Sequence, residues 1–148
     1  MKASFAILLC FFVFAKAKAE KPTIVFLLAE REYQTDETLP SFAKESLGKK
    51  FQIKYCKADD NGPGRHVLKN AKVIASADLL FVSVRRRAFS SKTMGLIRKH
   101  VAEGKPVLGI RTSSHAFALR KETLTKGHET WDEWDKEIIG GNYDGHHG

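Results

Sequence analysis

Cysteine is almost missing from this chain: 148 residues contain two, Cys10 and Cys56. Cys10 falls in an amino-terminal leader, described below, so the mature chain keeps only Cys56. One cysteine makes no internal disulfide, and the fold must be held by its apolar core even in an oxidising compartment. Long apolar runs are missing too. The longest, Phe5 to Ala15, falls short of the about 20 residues that a membrane-spanning helix needs. There is no internal repeat, no low-complexity segment and no Gly-x-Ser-x-Gly nucleophile elbow. Neither cysteine nor acid stands at zinc-ligand spacing, and the acidic run Asp59-Asp60-Asn61-Gly62-Pro63-Gly64 fits turn chemistry, not a calcium loop. These absences exclude a disulfide scaffold, a helical membrane protein and a solenoid.

What is present begins with a leader. Met1-Lys2 precedes the apolar run, and Ala17-Lys18-Ala19 follows it. A charged start, a short apolar stretch and an A-x-A site form the pattern of a secretory signal peptide. Cleavage after Ala19 is expected, giving a signal peptide at 1–19, one domain at 20–148, a secreted or periplasmic location and no stable membrane anchor. Cleavage also removes Lys2, Lys16 and Lys18 but no acid. The net charge of +8 falls to +5, 22 basic residues against 17 acidic ones. No nucleic-acid binding is expected, because basic and acidic residues interleave and no binding motif is present. The clusters Arg85-Arg86-Arg87 and Arg120-Lys121 still favour anionic ligands.

The mature chain alternates strand and helix signals. Thr23–Ala29 and Leu79–Val84 are continuous apolar runs, as in strands buried on both faces. Phe51–Cys56 alternates apolar and polar, which suits a strand nearer the edge, with Cys56 as a half-buried closing residue. Pro106–Ile110 is a fourth short strand. Between them, a helix capped by Thr35 or Asp36 should place Leu39, Phe42, Ala43, Ser46 and Leu47 inward. A second is expected at His66–Ile74, carrying Val67, Leu68, Ala71 and Ile74. A third, opened by Ser90 or Ser91, should bury Met94, Ile97, Val101 and Ala102. Four alternations with no hairpin signal predict a parallel sheet covered by helices.

In such a sheet the carboxyl ends of the strands share one edge, where ligands bind. That edge gathers Glu30 and Glu32, Arg85 to Arg87, and the turn Arg111-Thr112-Ser113-Ser114-His115, with a helix-like segment from about Ser114. His115 is the candidate acid/base, because an ordinary histidine titrates near neutrality; the competing role is a helix-start residue bonded to backbone. Arg111 is the candidate for an anionic or polyhydroxyl ligand. Glu30, one of Arg85, Arg86 and Arg87, Thr112, Ser113, and His146 or His147 support it. Ser113 or Ser114 also serves as a helix cap. No metal or other cofactor is expected: adjacent histidines point apart in an extended segment, so His146 and His147 do not both join His115. Trp131 and Trp134 offer either packing or a stacking surface for a sugar.

Three stretches together resemble the ThuA-like (trehalose-utilisation) proteins, a family within the class I glutamine-amidotransferase-like fold. They are Ala77-Asp-Leu-Leu-Phe-Val-Ser-Val-Arg-Arg-Arg87, Glu103-Gly-Lys-Pro-Val-Leu-Gly-Ile-Arg-Thr-Ser-Ser-His-Ala-Phe117 and Gly140-Gly-Asn-Tyr-Asp-Gly-His-His-Gly148. The resemblance implies a flavodoxin-like three-layer α/β sandwich with a parallel sheet, incomplete at the carboxyl terminus. The Gly/His-rich end after Ile138-Ile139 agrees with an amino-terminal part of a longer protein. The amidotransferases carry a nucleophilic cysteine in a Gly-x-Cys-x-Gly turn. Arg111 stands at that position here and Ser113 replaces the second glycine, so cysteine-dependent glutamine hydrolysis is excluded. The resemblance implies carbohydrate metabolism. Two readings stay open: a domain that binds and transforms a sugar or sugar derivative by acid–base chemistry, and a non-catalytic carbohydrate-binding or scaffold domain. The expected partner is a small-molecule carbohydrate or derivative. Nothing in the sequence sets the oligomeric state.

Overall fold

The computed structural model describes residues 20–145; the leader at 1–19 and both His146 and His147 lie outside them. Four strands, β1 (Thr23–Ala29), β2 (Gln52–Lys57), β3 (Leu79–Val84) and β5 (Val107–Gly109), form one sheet in the order β2-β1-β3-β5. Every pairing is parallel, with Phe26 opposite both Tyr55 and Phe81. The fold is therefore the α/β class expected, with helices on both faces of a parallel sheet, consistent with a flavodoxin-like sandwich.

The central position of β1 explains its composition. All seven of its residues are buried, because a strand paired on both sides and covered on both faces has no polar side. Val25, Leu27 and Ala29 face one apolar cluster with Leu80, Val82, Met94 and Ile97. Ile24, Phe26 and Leu28 face the other, with Ala43 and Phe81. Each such fully buried large side chain contributes about 1.5–3 kcal/mol relative to exposure. Helix α2 (Ser91–Ala102) covers the first face, and helix α1 (Thr35–Phe42), continued by a wider π turn at Ala43–Leu47, covers the second.

Several local expectations are corrected. Neither Thr35 nor Asp36 caps α1: the capping position is Gln34, in the left-handed region at φ 51°, with no side-chain cap. Thr35 is engaged elsewhere, as shown below. Leu39, Ala43 and Leu47 pack inward on one i, i+4 row, whereas Phe42 is 46% exposed and Ser46 is exposed, since both lie off that row. No helix runs from His66 to Ile74. Two 3-10 turns, Pro63–His66 and Ala71–Ser76, replace it, because Val67 is extended and Asn70 adopts a left-handed φ of 61°. Leu68 and Ile74 reach the core and Val67 does not. Helix α2 starts as expected, Ser90 Oγ accepting from the Thr93 amide at 3.3 Å. Met94 and Ile97 are buried, Val101 is partly so, and Ala102 is exposed. Cys56 is fully buried, not half-buried.

One pairing has no local signature. The two-residue strands β4 (Phe89–Ser90) and β6 (His128–Glu129) pair antiparallel across nearly forty positions. This ribbon and Trp134, which is 1% exposed, bring the polar segment after residue 117 back onto the sheet.

Candidate functional site

The carboxyl ends of β1, β3 and β5 do share an edge, and each exit is built differently. At the end of β1, Glu30 is 3% exposed. Its carboxylate accepts from the backbone amides of Glu32 at 2.9 Å and Tyr33 at 3.3 Å, and from the Thr35 hydroxyl at 2.7 Å. Ser83 in β3 donates in turn to the Thr35 hydroxyl at 2.8 Å. Glu30 is thus a buried acid fully engaged by three donors, and it ties the loop before α1 to the sheet.

At the end of β3 the three arginines follow without a break. The amide of Arg85 donates to Ala29, that of Arg86 to His115 at 3.1 Å and that of Arg87 to Ala116 at 2.8 Å. Arg86 takes a left-handed φ of 51°, which breaks the alternation of a strand. Arg85, Arg86 and Arg87 line a single recess of about 80 Å³ with Arg31, Arg65 and Arg120. Two carboxylates, Glu30 and Glu122, complete its wall.

Arg87 is the innermost of the six, at 2% exposed, and its Nε donates to the Ala29 carbonyl at 3.0 Å. Burial, helped by the like charge of Arg65, pushes its pKa down to about 10, so it remains a cation at neutral pH. Arg65 pairs with Glu122 and also donates to the Arg86 carbonyl at 3.3 Å. Arg85 pairs with Glu32 at 3.0 Å. His66 stands behind Glu122: its Nδ1 accepts from the Ala88 amide at 3.1 Å, so Nε2 carries the proton and faces Glu122 at 3.1 Å. Burial holds the His66 pKa below its ordinary value, against the pull of Glu122.

The exit of β5 is the turn on which the sequence concentrates its polar residues. A five-residue 3-10 turn starts at Arg111, not at Ser114, and runs to His115. Gly109 is needed just before it, since a Cβ there would overlap the Ser113 hydroxyl and sit 2.8 Å from Ile139 Cδ1. Thr112, Ser113 and His115 are buried. The Thr112 hydroxyl donates to the Val84 carbonyl at 3.4 Å, and the Ser113 carbonyl accepts from the Trp134 indole at 2.8 Å. His115 stacks on Tyr143 with ring centroids 4.4 Å apart, and its Nδ1 lies 3.1 Å from the Ser114 hydroxyl. Arg111 is the displayed member. It is exposed, left-handed at φ 50°, and its guanidinium carbon lies 4.3 Å over the Tyr33 ring. The turn is therefore packed inward, where the sequence reading expects it open.

Sequence reasoning missed Arg31, Arg65, His66 and Glu122 as members of the edge. Arg65 and His66 follow the Gly62-Pro63-Gly64 loop after β2, so their place at the exit of a parallel strand was the available signal. Glu122 has none, because its partners Arg65 and His66 are 57 and 56 positions away. Trp134 resolves to packing, edge-on to Phe117 at 4.8 Å. Trp131 is partly exposed beneath Arg98, whose guanidinium carbon lies 4.2 Å from its ring centroid.

Cys56 plays no part in this edge. Burial pushes its thiol up to about 12, so it holds almost no thiolate at neutral pH. Among the described residues no group of three His, Cys, Asp or Glu side chains stands where it could hold a metal ion. No helix among them is long and apolar enough to cross a membrane. No family model, curated protein or solved structure matches the chain.

Proposed function

We propose that the chain is an exported ThuA-like domain that binds a sugar or sugar derivative at the carboxyl edge of its parallel sheet, without a cysteine nucleophile. The observation that carries this reading is the gathering of six arginines around one recess beside the exits of the central strands, where an open α/β sheet places its ligands. Arginine forks suit a ligand rich in oxygen acceptors. Beside the recess, Arg111 over Tyr33 offers an exposed fork and an aromatic face. Thr112 and Ser113 support the turn from within. Any turnover falls to His115, held by Tyr143 and Ser114, as acid–base work on a hydroxyl or keto-sugar. The burial of His115 favours the second reading, a non-catalytic binding domain on the same fold.

Calorimetry of the full-length chain against a panel of disaccharides and their keto derivatives, with product analysis, separates these readings. Binding that weakens in Arg111→Ala supports the ligand site. Turnover lost in His115→Ala while binding survives assigns the acid–base role. Binding without turnover in the parent chain selects the non-catalytic domain, and binding of no member of the panel rejects the carbohydrate reading.

A further inference from the structure

The recess has capacity for an acceptor that the chain itself does not supply. A guanidinium offers five N–H donors, yet few of those around the recess are used. Arg31 donates to Asn61, Arg65 to Glu122 and the Arg86 carbonyl, Arg85 to Glu32, and Arg87 to the Ala29 carbonyl. The Nε atoms of Arg65, Arg85 and Arg86 are buried with no partner at all. Both carboxylates in the wall are already committed, Glu30 to three donors and Glu122 to Arg65 and His66. Six cations against Glu30, Glu122 and the Glu32 paired with Arg85 leave a net positive wall around the recess. Native proteins tolerate a buried unpaired donor rarely, and such donors accumulate where an acceptor is to be received.

The dimensions narrow that acceptor. Pockets that enclose a whole small ligand run to about 300–1,000 Å³. At about 80 Å³ this recess holds one compact group, not a sugar ring. The six arginines come from separate elements: the exits of β1 (Arg31) and β3 (Arg85, Arg86, Arg87), the 3-10 turn after β2 (Arg65) and the segment beyond residue 117 (Arg120). A planar carboxylate uses one or two forks in its own plane. A tetrahedral oxyanion presents oxygens in several directions, and its double negative charge suits a wall with an excess of cations. The Ala29 carbonyl on Arg87 and Glu122 on Arg65 hold two of the forks in place before any ligand arrives.

We propose that the arginine recess is an oxyanion subsite that takes the phosphate or sulfate group of an anionic sugar derivative, with the hydroxylated remainder outside it along the same edge. The assignment deepens the carbohydrate reading and rests on it only for the nature of that remainder.

The test titrates the full-length chain with inorganic phosphate and with sulfate at constant low ionic strength, then with a hexose 6-phosphate and the same hexose unphosphorylated. One oxyanion binds per chain, and the phosphorylated hexose binds at least about tenfold more tightly than the neutral one, as hydrogen bonds to a charged group require. Arg120→Ala and Arg85→Ala, both at positions that reach solvent, each weaken phosphate by about tenfold. Lys99→Ala, an exposed cation on α2, leaves it unchanged. Arg87→Lys keeps the charge and loses the fork, and it weakens phosphate if it folds. No phosphate binding at millimolar concentration, or an equal loss in Lys99→Ala and Arg120→Ala, overturns the subsite. A hexose that binds equally with and without its phosphate rejects the subsite and leaves the carbohydrate reading standing. Phosphate that binds and is lost in Arg120→Ala, with no hexose bound, does the reverse.

Discussion

The turns that leave β3 and β5 lie side by side, joined by backbone hydrogen bonds from Arg86 to His115 and from Arg87 to Ala116, and their polar side chains have opposite fates. On the β5 side, Thr112, Ser113 and His115 are buried; the Thr112 hydroxyl donates to a strand carbonyl, the Ser113 backbone carbonyl accepts from a tryptophan indole, and His115 meets Ser114 and Tyr143. On the β3 side, three consecutive arginines keep most of their donors unspent around a recess that they share with three more. Both turns sit where a ligand is expected in a parallel α/β sheet. What separates them is how far the structure has already engaged the groups: on the β5 turn only Arg111 is displayed, whereas the β3 turn keeps unpartnered donors.

The largest expected effect breaks the β5 side alone. Trp134 packs edge-on to Phe117 and donates to the Ser113 carbonyl, so Trp134→Ala should lose about 3–5 kcal/mol of stability in urea denaturation. Trp134→Phe, which keeps a ring and drops the donor, should lose about 1–2 kcal/mol. In both, phosphate affinity of the folded protein should be unaltered. A Trp134→Ala chain as stable as the parent would mean that the β5 turn is not held from behind.

Gly109→Ala attacks the same turn from its base. The added methyl meets the Ser113 side chain and Ile139, and forcing it in should cost about 1–3 kcal/mol, read as a lower denaturation midpoint. An unchanged midpoint would show that the turn has room, and the contrast with the open β3 side would weaken.

The smallest effect belongs to Glu122, in the recess wall, and His66 behind it. His66 is held neutral in the folded chain, through burial first and despite Glu122, so the unfolded chain takes up its proton at the ordinary value of 6.5 while the folded chain does not. The folded state then binds fewer protons, and stability falls as the pH drops below that value. Glu122 adds to the loss at more acidic pH: burial raises its pKa, but hydrogen bonds from Arg65 and His66 outweigh it and hold the carboxyl below its ordinary range. Exposed to solvent on one side, the pair should contribute about 1 kcal/mol or less. Denaturation midpoints measured across this range in the parent and in His66→Gln should converge as the pH falls; a constant gap would mean that His66 is not held neutral.

The fold was legible where burial is symmetric. β1 and β3 match their apolar runs residue for residue, since a strand covered on both faces reads as a near-continuous apolar run. Legibility failed where one residue decides between near-equal local structures, as at Asn70, whose left-handed backbone splits an expected helix into two 3-10 turns. The site was half legible. Arg85 to Arg87 follow β3 directly, as chain order implies. The inward packing of Thr112, Ser113 and His115 depends on Trp134 and Tyr143, and the recess depends on Arg65, Arg120 and Glu122. These are long-range contacts with no local trace in the pattern of residues.

The proposed oxyanion subsite puts anions at the β3 arginines rather than against the buried part of the β5 turn, and NMR reads both at once. Phosphate titrated into the full-length chain should shift and saturate the Nε–H signals of Arg65, Arg85 and Arg86, the buried donors without partners, while the Trp134 indole N–H, bonded to the Ser113 carbonyl, stays in place. Movement of the indole signal with the arginine signals unmoved would contradict the account.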